Sequence, residues 1–200
     1  MVFKTFFTHC IMNSSLLYQI YQHPLIKEAE LSQIVDAHEK VELQKGDFVL
    51  QEGKTANSYL VLETGLIRSF AYNYDGEDIT TDFFTAGELV IDVLSLFQRI
   101  PTQENMQALS DCVCWEIDFD KFQSLFHSIT GFAEWGRFWM TGKLFHFKQR
   151  AIEIATRPTR ERYLSLLKEK PEIIRQAPLK HIATYLGVTD SSLSRIRKEI

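Results

Sequence analysis

Cysteine is scarce in this chain, and what there is has no metal-ligand spacing. There are three cysteines in 200 residues. Cys112 and Cys114 lie two apart in an extended run, so both side chains face one way and a structural bridge between them is disfavoured. Cys10 stands alone, and no paired CxxC exists, which excludes a zinc ribbon or a CxxC redox motif. Free thiols of this kind fit a reducing compartment. Long apolar runs are also missing. The opening stretch MVFKTFFTHCIMNSSLLYQI is interrupted by His9, Asn13 and Ser14, so it forms no signal-peptide core. No run approaches the ~18–20 apolar residues that cross a bilayer. The expectation is a soluble, cytoplasmic protein with no membrane partner. No GxSxG and no GxGxxG occurs. Gly53-Lys54-Thr55 looks like the end of a phosphate-binding loop, but the position where its first glycine must stand is Phe48.

Net positive charge is lacking as well, at −4 overall, but that average hides a division. Residues 1–139 hold nine Lys and Arg against twenty Asp and Glu, a net −11, whereas residues 140–200 hold thirteen against six, a net +7. An acidic front and a basic back suggest two functional units. The basic unit is the one able to meet a polyanion, because lysines and arginines displace condensed counterions from phosphates.

Residues 14–39 read as helical, with Leu16, Leu17, Ile20, Leu31, Ile34 and Val35 at three-to-four spacing and Pro24 as a break. The pattern then changes to short apolar runs punctuated by Gly46, Gly53, Gly65, Gly76 and Gly87, at intervals of 7, 12, 11 and 11 residues. That rhythm predicts an all-β barrel or jelly roll, with Asp75-Gly76 as a hairpin signal. Last strands fall in MQALSDCVCWEIDF. All six histidines lie outside residues 41–118, so the predicted barrel has no imidazole for a cupin-type metal centre. Asp78, Asp82 and Glu88 read as solvated turns and caps rather than a catalytic pair, and no enzyme activity is expected.

Helical periodicity returns after Asp118. DFDKFQSLF predicts a short helix capped by Asp118 or Asp120. A long helix follows, in which Trp135, Phe138, Gly142, Phe145 and Ile152 stand at spacings of 3, 4, 3 and 7, a heptad seam for a two-fold dimer. Gly136 and Gly142 would let a partner backbone come close. Three tail helices are expected: one in PTRERYLSLLKEKPEII opened by Pro158, one in PLKHIATYLG, and a last over 190–199.

The final stretch, HIATYLGVTDSSLSRIRKEI, carries the function. Ala183 stands where two helices cross, Gly187 makes the corner, Thr189 or Asp190 caps, and Leu193 and Ile196 pack the second helix on the first. Ser191, Ser192, Arg195 and Lys198 are left pointing outward, the helix-turn-helix pattern. Short polar side chains at the leading end let the backbone sit deep in a major groove. There Arg195 can reach a guanine edge, while Thr189 and Lys198 suit phosphates.

A β-roll with glycine turns, the segment AGEL, a long dimer-forming helix, and IATYLGVTDSSLSRIRKEI together resemble the cAMP receptor protein/FNR (Crp/Fnr) family over about residues 25–200. The resemblance implies an α+β architecture. It consists of a cyclic-nucleotide-binding-like β-roll within 1–120, a dimerisation helix over 121–155, and a helix-turn-helix domain over 156–200. It also implies a homodimeric transcription regulator that reads a two-fold site on double-stranded DNA and acts on RNA polymerase. Ser191, Ser192 and Arg195 would take base-reading positions, with Thr189 near phosphate and Asp190 at the same leading edge. Ser191 replaces the family's usual glutamate, so the family's preferred DNA sequence is not transferred.

In family members that bind cyclic nucleotides, a Gly-Glu pair and a later Arg-Ser pair hold the ligand. Here Gly87-Glu88 matches the first, but Thr102-Gln103 stands at the second. A buried phosphate without a cation is costly, and Arg99 is three residues too early. A cAMP response is therefore not expected. An iron–sulfur centre needs more thiolates than Cys10 supplies. The cofactor or effector is left unknown. The alternative is a β-roll sensor that signals through protein contacts, its terminal hairpin a docking surface rather than a DNA reader.

Overall fold

The computed structural model describes residues 15–200; Cys10, His9 and most of the opening apolar stretch lie outside them. Two helices, α1 (Ser15–Ile20) and α2 (Glu28–Asp36), lead into the strands. The expected helical region is thus interrupted over 21–27, around Pro24, which can offer no backbone donor. The strands are β1 (Glu39–Leu43), β2 (Phe48–Leu50), β3 (Ser58–Thr64), β4 (Ile67–Tyr72), β5 (Asp78–Phe84), β6 (Leu89–Val90), β7 (Asn105–Ala108) and β8 (Cys112–Asp118). They form two antiparallel sheets in the orders β1-β8-β3-β6 and β2-β7-β4-β5, the two layers of a jelly roll. A helix not foreseen from the sequence, α3 (Val93–Gln98), sits between β6 and β7, capped by Asp92 through Ser95 N–H at 2.9 Å.

The uninterrupted apolar run of β3 follows from its place between two layers. Leu60 and Leu62 pack into the roll with Ile67, Met106 and Cys114. Tyr59 and Val61, pointing the other way, pack under the helices with Leu17, Tyr21, Phe122 and Phe132. Cys112 and Cys114 share the interior face, as their spacing requires, and are free and buried. At the β3–β4 turn Gly65 has φ +106°, and a Cβ there would meet Cys112 Sγ at 2.5 Å and the Asp111 carbonyl at 2.7 Å. Only glycine fits both the conformation and the space.

After β8 come α4 (Phe119–Ser128), α5 (Thr130–Thr156), α6 (Thr159–Glu169), α7 (Pro171–Gln176), α8 (Leu179–Tyr185) and α9 (Asp190–Lys198). Asp118 caps α4 by accepting from Lys121 N–H at 2.9 Å. The single tail helix expected from Pro158 onward is two. Pro171 occupies the first turn of α7, where its missing N–H costs nothing, and α6 ends before it. Among the described residues no helix is long and apolar enough to cross a membrane.

The layer between helices and sheet holds a buried chain of polar groups. His38 Nδ1 lies 2.8 Å from the Ile34 carbonyl, which can only accept, so Nδ1 carries the proton. Nε2 then accepts from Tyr21 Oη at 2.9 Å, and Tyr21 Oη accepts from Tyr59 Oη at 2.8 Å. Burial pulls the imidazole down to about 4, with the Ile34 hydrogen bond opposing it. A histidine held neutral in the fold stabilises fully above its unfolded value of about 6.5. That stability is lost as pH falls from there through about 4. The difference amounts to about 3 kcal/mol. Denaturant unfolding at pH 7 and pH 4 is expected to show wild-type protein losing about 3 kcal/mol more than His38→Gln. Equal losses in the two proteins would show that the buried imidazole does not set this dependence.

Candidate nucleic-acid interface and effector pocket

The corner between α8 and α9 is made by Gly187, at φ +69°. Its N–H donates to the Thr184 carbonyl at 3.0 Å, and Val188 N–H reaches back to the Ala183 carbonyl at 3.0 Å. This pair of bonds closes the end of α8 and directs the chain into α9. Thr189 caps α9, its hydroxyl accepting from Ser192 N–H at 3.3 Å. The same hydroxyl lies 3.1 Å from Ser191 Oγ and 2.9 Å from Ser192 Oγ, so the small hydroxyls are tied together at the leading end. Asp190 is exposed in the first turn, where a carboxylate favours the helix dipole.

Leu193 is fully buried against Ile182, Ala183 and Leu186, with Ile196 packed beside them. Anchoring that side leaves Ser191, Arg195 and Lys198 exposed on the stripe set by spacings of four and three. Ser192 stands half-buried next to it. Arg197, passed over in the sequence, is exposed too and adds a third cation to the last turn. Its signal was the run RIRK, but its position off the Ser191–Arg195–Lys198 stripe hid it.

The helix-turn-helix unit is seated on the β-roll. Leu66, Phe83 and Leu109 of the roll share one apolar cluster with Tyr163, Leu166, Ile173, Ile182 and Ala183. Polar contacts surround this seat. Arg68 donates to Asp78 at 2.8 Å and to His181 Nδ1 at 2.6 Å, and Lys180 pairs with Asp78 at 3.0 Å. Thr184 Oγ1 accepts from Thr80 N–H at 3.2 Å. Arg150 of α5 donates to the Thr81 and Tyr185 carbonyls and lies over the Tyr185 ring at 3.9 Å.

Glu88 takes part in the same contact. Its carboxylate accepts from Thr85 N–H and from Lys170 Nζ, each at 2.8 Å, and Lys143 stands 3.8 Å away. Burial opposes its ionisation, yet Lys170 holds the carboxyl below the usual range. Gly87 makes the turn before it at φ +87°. Thr102 is buried elsewhere, pairing with the β2–β3 loop through Lys54 and Gly53, and Gln103 is exposed. The four effector-pocket residues singled out in the sequence therefore do not line one cavity. Arg99, in the left-handed conformation at φ 56°, donates to the Ala56 carbonyl and Asn57 Oδ1 and stacks 4.0 Å over Phe119. The cations paired with Glu88 are thus lysines, Lys170 and Lys143, while Arg99 is engaged elsewhere.

The seam residues divide. Phe138 is 73% exposed, Phe145 69% and Ile152 45%, and a Cβ at Gly142 would meet nothing within 4 Å. Trp135 does not belong with them. It is buried, with its Nε1 donating to the Ile20 carbonyl at 2.8 Å and its ring 4.7 Å from that of Tyr21. The first turns of α5 lie under α1, so the heptad position is taken by the chain's own core. Gly136 is likewise closed by the Phe126 ring, which a Cβ would meet at 2.5 Å. Exposed apolar surface continues instead through Leu144, Phe147 and Ile154.

Residues 40–128 match the family described as "Cyclic nucleotide-binding domain". The chain is 24% identical over 184 residues to the fumarate and nitrate reduction regulatory protein of Yersinia pestis, covering 86% of this chain and 72% of that one. It is 30% identical over 102 residues to the anaerobic regulatory protein of Haemophilus influenzae, covering 50% of this chain and 38% of the relative. Among solved structures, FixK2 from Bradyrhizobium japonicum superposes with a TM-score of 0.71 at 17% identity, over 81% of this chain and 83% of that one. In its order of roll, long helix and helix-turn-helix unit the chain is thus similar to regulators of the Crp/Fnr family.

Proposed function

We propose that this protein is a DNA-binding transcription regulator that works as a homodimer in the cytoplasm, reads a two-fold site, acts on RNA polymerase, and does not respond to cAMP. The observation that carries the reading is the division of α9: Leu193 anchors one side while Ser191, Arg195 and Lys198 stand in solvent on the other. Arg195 supplies the planar donor pair suited to a guanine edge. Lys198 and Thr189 suit phosphates, which position the helix without specifying sequence. Two such helices, brought together by a two-fold seam, would address half-sites about 34 Å apart.

The exposed apolar stripe from Phe138 to Ile152 supports pairing through α5, since burying each aromatic there stabilises by about 1.5–3 kcal/mol. The occupation of Glu88 by Lys170 and of Arg99 by Ala56 and Asn57 supports the absence of a cAMP response. Control then consists of shifting the population of dimers whose two reader units are correctly placed.

Selection of bound sequences from a random duplex pool is expected to enrich an inverted repeat. On that repeat Arg195→Ala should weaken binding by about 1–3 kcal/mol and relax one base position. Lys198→Ala should weaken all sequences alike and lower the salt slope by about one. Unchanged affinity in Arg195→Ala would overturn the assignment of α9. For the seam, Phe138→Glu with Phe145→Glu is expected to sediment as a monomer at micromolar concentration where the native chain sediments as a dimer. A native monomer would exclude the seam.

A further inference from the structure

At the rim of the seat, the imidazole of His181 on α8 meets the guanidinium of Arg68 on β4, with His181 Nδ1 2.6 Å from Arg68 Nη1. A guanidinium only donates and does not give up its proton. Nδ1 is therefore the acceptor, and its lone pair ties α8 to the roll at this point. The neutral imidazole carries its own proton on Nε2. This is the reverse of His38, whose Nδ1 holds the proton against a carbonyl.

Arg68 has little room to yield. Its side chain is 3% exposed. Nη2 donates to Asp78 at 2.8 Å, Nη1 also reaches Thr80 Oγ1 at 3.3 Å, and the guanidinium carbon lies 4.0 Å over the Phe70 ring. Its Nε is buried and has no partner among the described residues. A second cation at this distance would therefore face a fixed one. His181 itself is half-buried, so solvent can supply the proton. The charges that act on it come from four elements: Arg68 on β4, Asp78 on β5, Lys180 on its own helix and Asp190 on α9. Burial holds the imidazole below its usual range and Arg68 pushes the same way. Asp78 opposes, Lys180 adds to the lowering, and Asp190 opposes again. Each oxygen of Asp78 already pairs with a cation, Oδ2 with Arg68 and Oδ1 with Lys180, so neither is free for a new one.

We infer that His181 is an acid-sensitive latch between the helix-turn-helix unit and the β-roll: a proton on Nδ1 removes the acceptor, sets two cations face to face and opens the seat. The sign follows from linkage. A histidine held neutral in the seated state favours that state fully above about 6.5, the value of a released imidazole. That preference is lost as pH falls from there through the lowered value of the seated state. The apolar cluster still favours contact, so protonation raises the population of open seats without unfolding the chain. The latch itself is independent of DNA; it rests on the regulator reading only in making an open seat a change in DNA binding.

The test uses the full-length protein without DNA. Hydrogen exchange is followed at the Thr80 N–H, which donates across the seat to Thr184 Oγ1 at 3.2 Å, and at the Leu62 N–H, which donates within the roll to the Glu88 carbonyl at 3.0 Å. Thr80 reports opening of the seat and Leu62 opening of the roll. Between pH 7.5 and pH 5.5, corrected for the intrinsic rate, the native chain is expected to exchange Thr80 up to about tenfold faster relative to Leu62, because the end point lies about one pH unit below the released value. His181→Gln keeps an acceptor for Arg68 but takes no charge, so its ratio of the two rates should stay level. It also retains His38, so any acid weakening of the whole fold is common to both proteins. Should the variant fold poorly by circular dichroism, the nitrogen-15 resonances of the native imidazole decide, with Nδ1 unprotonated at pH 7.5 and a midpoint below about 6.5 expected. Equal pH dependence in the native chain and a well-folded His181→Gln, a rise that Leu62 shares in full, a proton on Nδ1 at pH 7.5, or a midpoint at or above about 6.5 each overturns the latch. DNA selection run separately at pH 7.5 keeps failure of the regulator reading distinct from failure of the latch.

Discussion

The apolar seat that Leu66, Phe83 and Leu109 offer to Ile182 and Ala183 fixes where α8 and α9 stand. Apolar contact alone is non-directional, so orientation comes from the polar groups at the edge: Asp78 between Arg68 and Lys180, Arg68 on His181, Lys170 on Glu88. These pairs are partly buried, and such pairs give specificity of arrangement more reliably than net stability. Leaving the seat would expose the apolar cluster and unpair several charges together.

This rim also explains the charge division of the chain. The basic excess after residue 140 has two uses. Lys143, Arg150 and Lys170, half-buried against the acidic roll, and the exposed Lys180 bond Glu88, Asp78 and backbone carbonyls. Arg195, Arg197 and Lys198 face outward. The front-to-back asymmetry is thus in part an internal complementarity, and only the remainder is available to a polyanion.

The roll, the long helix and the helix-turn-helix were legible because each rests on local constraints. Turns needing positive φ select glycine, as at Gly65 and Gly187. The corner between α8 and α9 needs Ala183, Gly187 and Leu193 at fixed separations, and all three are used as their spacing implied. Trp135 and Gly136 were misread because a heptad pattern records which residues are apolar, not which body covers them. For these two the cover is α1 and α4 of the same chain. The helix break at Pro171 was visible as a proline, but the continuing apolar pattern outweighed it.

Two things lay beyond any reading of the linear chain. Glu88 and Lys170 are 82 residues apart, and nothing local announces that one occupies the other. Nor does spacing show that Ser69, Thr81, Asp82 and Glu104 meet under α5, because a bulge shifts the alternation on which strand patterns depend. The sequence by itself determined the element types, the positions of the turns and the face of α9 that must stay polar, since those follow from backbone conformation and periodicity. Only the tertiary structure decided which charges are paired and which aromatics are covered, since those depend on contacts between residues distant in the chain.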